Sequence, residues 1–245
     1  MVMRIKGAQT GEIASRGRVL QRRWVERLAV ALAVVGGTMT VAGPADSAVA
    51  QFGPHTCKQG FVWREAFPGD LVCVTPGVRT DTRRENELGP SRRQPGGGPF
   101  GPDTCRQGFV WREARPSDHV CVPPSSRDRA RGDNASAAMR LADPSAIPRG
   151  GVQIITARHQ LGGDLFASGS GLTPNGRVQF WSAAPGLPAV QLGSLTANSG
   201  GGLSRQWFYR TNCRVHDPRE ETVIVLDVAS GTVTTGGTTR VHSRC

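Results

Sequence analysis

The residues in this chain that could do chemistry are few, and their spacing decides what each is for. Six cysteines are thiolate nucleophiles or metal ligands if reduced and disulfides if oxidised. Cys57 and Cys73 lie 16 residues apart, as do Cys105 and Cys121. The five histidines, His55, His119, His159, His216 and His242, share no spacing that a metal site uses. No G-x-S-x-G elbow and no H-E-x-x-H pair occurs. Glu113 and Asp118 can be paired on paper as acid and base. With Arg112 between strand and turn they read instead as a surface salt-bridge and turn-capping set, because Asp in a "PSD" turn bonds its own backbone. The expectation is a chain with no catalytic residue, no metal and no cofactor.

What remains for recognition is a Trp-Arg pair written twice, Trp63 with Arg64 and Trp111 with Arg112. An indole is a flat apolar platform with one donor, suited to stacking on a sugar ring or a partner side chain, and the adjacent guanidinium could anchor a polar group. The alternative is that each Trp fills a small core beside its disulfide. Both readings stay open on sequence.

These pairs belong to a repeat. Residues 52–74 and 100–122 are identical at 18 of 23 positions, differing only at 55, 58, 67, 69 and 71 of the first copy. The offset of 48 persists beyond, with Pro76 matching Pro124, Arg79 matching Arg127, Arg83 matching Arg131 and Asn86 matching Asn134. Within a copy, "GFVWREA" is a short strand, "FPGD" or "RPSD" a turn and "LVCV" or "HVCV" a returning strand. A short helix beginning near Pro76 or Pro124 then packs back on the hairpin. Two copies of one unit should close alike, which predicts Cys57–Cys73 and Cys105–Cys121 and leaves Cys213 with Cys245.

The chain divides into repeat module 1 (51–87), a Pro/Gly linker "LGPSRRQPGGGP" (88–99), repeat module 2 (100–136), a second linker (137–149) and a C-terminal region (150–245). Seven β-type runs, from Val152, Asp164, Arg177, Val190, Leu203, Thr222 and Thr238, are separated by turn signals such as "TPNG" and "NSGGG". The fold class is therefore mainly β: two small disulfide-pinned hairpins on a flexible linker, then a seven-stranded immunoglobulin-like sandwich. "TVIVLDV" from Thr222 alternates least and should be a central strand covered on both faces. Trp181 and Trp207 are expected inside the sandwich.

Residues 1–50 carry a basic stretch, the apolar run Leu28–Ala42 and the small-residue end "SAVA". This is the pattern of a secretory signal peptide cleaved after Ala50. The apolar run is short for a bilayer core of about 30 Å. The address is secreted or cell-surface, with no membrane association after cleavage. An oxidising compartment also suits six paired cysteines. The net charge of +11 is no nucleic-acid signature. Removal of 1–50 leaves 23 basic against 16 acidic residues, interleaved and without a stripe of stacking aromatics.

Both copies resemble a cysteine-bounded motif of exported actinobacterial proteins, in which C-x-Q-G-F-V-W-R-E-A, P, D and V-C-V recur. The resemblance carries no function with it. "GSGLTPNGRVQFW", Gly169–Trp181, and "VLDVASGTV" from Val225 are similar to bacterial immunoglobulin-like modules, which implies a fold and not a role. Two functional readings follow. In the first, the duplicated modules bind cell-wall glycan with avidity from the flexible linker. In the second, the repeats are spacers and the sandwich contacts an extracellular protein.

Overall fold

The computed structural model describes residues 52–159, 162–184, 187–210 and 219–241. The signal-peptide reading of 1–50 and the Cys213–Cys245 pair lie outside the described residues. Among those described, no helix is long and apolar enough to cross a membrane.

Each repeat folds into a two-strand hairpin and a helix. In the first copy β1 (Val62–Trp63) pairs with β2 (Cys73–Val74) and leads into α1 (Pro76–Leu88). In the second, β3 (Val110–Trp111), β4 (Cys121–Val122) and α2 (Pro124–Ala135) repeat the order in the same register. The disulfides Cys57–Cys73 and Cys105–Cys121 form as predicted, each with Cα atoms 5.6 Å apart. Closing a loop of this length contributes about 3 kcal/mol in the chain-entropy model. Proline occupies the first turn of both helices, where its missing N–H costs nothing.

The sandwich has all seven expected strands: β5 (Val152–His159), β6 (Gly162–Gly169), β7 (Arg177–Ala183), β8 (Val190–Thr196), β9 (Leu203–Arg210), β10 (Arg219–Asp227) and β11 (Thr232–Val241). One sheet runs β5-β6-β9 and the other β11-β10-β7-β8, the Greek-key partition of immunoglobulin-like folds. The last strand starts six residues before the predicted Thr238. Gly236 and Gly237 hide it in the sequence, yet Gly236 is needed because a Cβ there would run into Ile154.

The two middle strands of the four-stranded sheet, β7 and β10, are buried on both faces. Val223 and Val225 of β10 and Phe180 of β7 point into the inter-sheet core with Leu165, Ala167 and Phe208. Ile224, Leu226 and Trp181 point the other way, into a second core shared with Val72, Val74, Leu141 and Ile147. The repeats thus cover that sheet, which is why "TVIVLDV" is apolar throughout.

The segments expected as linkers are packed. Residues 90–92 form a 3-10 turn, Gln94 N–H donates to Thr104 O at 2.8 Å and Arg106 N–H to Arg92 O at 2.9 Å. The tail of copy 1 therefore lies along the hairpin of copy 2. The reverse holds at the equivalent positions: Ala142 N–H donates to Thr56 O at 2.8 Å and Lys58 N–H to Arg140 O at 2.9 Å. Gly96 and Gly97, at φ 79° and 81°, make the turn between these halves, a conformation open to glycine without strain. In 137–149 the buried side chains Ala137, Ala138, Leu141 and Ile147 supply the apolar area that holds the segment on the sandwich.

Candidate functional site

The Trp-Arg pairs that the sequence marks for recognition sit at the junction of the two copies. Arg64 and Arg112 are each 1% exposed and lead the described residues in volume among fully buried side chains. This overturns their role as polar anchors for a ligand. Arg64 spends all five of its N–H groups internally. Its Nε and Nη2 grip Asp70 at 2.8 and 3.1 Å, Nη1 donates to Asn134 Oδ1 at 2.9 Å and Ala130 O at 3.3 Å, and Nη2 reaches Ala114 O at 3.5 Å. Arg112 repeats the grip on Asp118 at 2.7 and 3.1 Å and donates to Ala66 O at 3.1 Å and Thr82 O at 3.5 Å. Each arginine thus bonds the turn of its own copy and the turn and helix of the other. The physical reason is that a buried guanidinium must meet a carboxylate and fill its remaining donors, and only two interlocked copies supply enough acceptors.

The expected surface set around Arg112 is corrected too. Asp118 is buried and accepts from Ala114 N–H at 3.1 Å, so it does cap its turn. Glu113 instead faces Arg131 at 2.6 Å. It sits at φ 55°, as Glu65 does at φ 59°, and Glu65 pairs Arg83 at 2.5 Å. These carboxylates are consumed by ion pairs.

Trp63 and Trp111 are partly buried, and their single donors are committed: Trp63 Nε1 to His55 O at 2.9 Å and Trp111 Nε1 to Asp103 O at 2.6 Å. His119 stacks on Trp111 at 4.1 Å with Nδ1 3.1 Å from Asp103 Oδ2. Phe52 and Phe100 stand edge-on to the two indoles and are themselves 56% and 70% exposed. The indoles are therefore supports, and the free aromatic surface of the repeats belongs to the phenylalanines. Burial pushes the His55 imidazole below its ordinary pKa.

The sandwich presents the other candidate. Trp207, expected in the core, is 52% exposed. β9 carries two register shifts against β6, and of the adjacent pair Trp207 and Phe208 it is Phe208 that turns inward to stack on Phe180 at 4.0 Å. Trp207 pairs across the sheet with Phe166, which pairs with Ile155. The Arg205 guanidinium lies 5.5 Å from the Phe166 ring, and Arg205 holds φ 44°. This face, unlike that of the other sheet, is not covered by the repeats.

Among the described residues no group of three His, Cys, Asp or Glu could hold a metal. A cavity of about 300 Å³ at the end of the sandwich is lined by Ser170, Thr173, Asp227 and Thr232. Its carboxylate is spent on Thr173 N and Oγ1, both at 2.8 Å, and on Ala229 N at 3.1 Å. Comparison with known proteins finds no family model, no curated protein and no solved structure that matches the chain.

Proposed function

We propose that this chain is an exported, non-enzymatic binding protein of the cell envelope in which the repeats are a rigid buttress and the sandwich makes the contact. The observation that carries the reading is Trp207, half exposed on the uncovered sheet with its indole N–H unpartnered among the described residues. The Trp-Arg pairs of the repeats have no such freedom. Their arginines are enclosed and their indole donors occupied. A tether-based avidity mechanism also loses its tether, since the tail of each copy is laid on the other. The partner is an envelope polymer such as wall glycan or an extracellular protein, met after removal of residues 1–50. The test is retention of the mature chain on purified wall fractions. Trp207→Ala should lower retention at least tenfold with the fold intact, whereas Phe52→Ala with Phe100→Ala should leave it near the parent value.

A second reading rests on Phe100, whose 70% exposure beside the stacked Trp111 and His119 makes an apolar ledge on copy 2. It requires the opposite outcome from those same variants.

A further inference from the structure

We infer that the uncovered face of the β5-β6-β9 sheet takes a polysaccharide bearing carboxylate groups, stacked on Trp207 and anchored by Arg205. The inference rests on the proposed contact role of this face and names its ligand class. Two features point to it. First, the apolar part is a single narrow row, Ile155, Phe166 and Trp207, one residue from each strand. Its neighbours Gln153 and Ser204 are exposed side chains that donate and accept hydrogen bonds. A protein partner needs roughly 800 Å² on each side, whereas a sugar ring needs one flat indole and hydrogen-bonding groups around it.

Second, the charge is one-sided. Arg205 is exposed and has no carboxylate or hydrogen-bond partner among the described residues. Within the three strands the sole acid is Asp164, itself only 7% exposed. A guanidinium held near the Phe166 ring, with its fork unpaired, matches a carboxylate bidentately. Arg205 is also a non-glycine residue at φ 44°, and such strain persists where the surroundings or a function hold it.

The experiment uses the mature chain with three soluble probes: polygalacturonate, its fully methyl-esterified neutral form, and polyglutamate. Isothermal titration at low salt should show binding to polygalacturonate at least tenfold tighter than to either of the others. Trp207→Ala and Arg205→Gly should each lose tenfold or more, and Arg205→Lys should keep part of the affinity. Arg205→Gly removes the guanidinium while relieving the left-handed backbone, so its urea midpoint should match or exceed the parent's, which separates lost binding from lost folding. Equal binding of polyglutamate would reduce the site to a general polyanion patch and overturn the inference. Equal binding of the neutral ester would overturn the role of Arg205. No binding to any probe, with wall retention still abolished by Trp207→Ala, would refute the ligand class and leave the contact face standing. Wall retention indifferent to Trp207→Ala would refute both.

Discussion

Arg64 and Arg112 show how far residue type can mislead. Arginine is read as surface by composition, and nothing in "FVWREA" says otherwise. The available signal was that Asp70 and Asp118, six residues on, and Asn86 and Asn134 are the same in both copies. Each carboxylate accepts from its buried guanidinium and from the turn's N–H, and each Asn Nδ2 donates to the carbonyl of the same turn, Ala66 O or Ala114 O. The two sites are not identical. Asn134 Oδ1 accepts from Arg64, but Asn86 Oδ1 has no partner among the described residues, and Arg112 turns to Glu85 Oε2 at 3.5 Å instead. Removing one buried charge strands the other, so Arg64→Met should destabilise the chain by about 3–5 kcal/mol. Arg64→Met with Asp70→Leu should cost less, because no charge is left uncompensated; urea unfolding of both reads the difference. Trp207 was illegible for another reason. Trp207 and Phe208 are adjacent in a strand and cannot both face inward, and the bulges that choose between them leave no mark in "LSRQWFYR". His55 carries a pH signature. Its folded-state pKa lies below the ordinary 6.5 because burial disfavours the cation. Its contribution is therefore present above the unfolded pKa and lost as pH falls through the folded one. Stability measured downward from pH 7 should fall with a component that His55→Asn removes.

At the scale of elements, the seven strands of the sandwich and both hairpins were legible, because alternation and turn chemistry are local. The missed elements were 88–94, read as linker from the Pro and Gly content of 88–99, and 137–142, assigned to the second linker. Extending the repeat register would have found them, since Arg92 falls opposite Arg140. Arg92 donates to Cys121 O at 3.3 Å and lies 5.1 Å from the Phe109 ring; Arg140 donates to Cys73 O at 3.0 Å and lies 5.4 Å from the Phe61 ring. The exchange predicts that a protease site opened between Gly96 and Gly97 will cut the chain without separating it. The nicked halves should co-elute in native buffer with the sandwich still folded. Halves that part on a sizing column would restore the flexible tether. The copies also differ where they meet: Phe67 of the first lies 4.0 Å beneath the guanidinium of Arg115, its own counterpart in the second. Phe67→Arg makes the two positions alike and juxtaposes like charges, so it should cost about 1–2 kcal/mol in urea unfolding.

The whole molecule explains the duplication. Two copies satisfy each other's arginines, and then only one of the paired faces is used on the sandwich. Ala137, Ala138 and Leu141 of the second tail enter the shared apolar core. Their counterparts in the first tail are Gly89, Pro90 and Arg93, and Arg93 reaches Asp103 at 3.1 Å. The repeat pair is thus a cap with one apolar side, and the sheet it covers is apolar to match. A chain beginning at Gly150 should bare Ile224, Leu226 and Trp181 and bind the dye ANS or aggregate, where the longer chain does neither. The central claim is that the uncovered sheet, and not the repeats, makes the contact. Hydroxyl-radical footprinting of the mature protein on purified wall fractions tests it most directly. Protection of Trp207 and Phe166, with Phe52 and Phe100 labelled as in the free protein, is the expected result; protection of Phe52 and Phe100 with Trp207 unprotected would place the contact on the repeats instead.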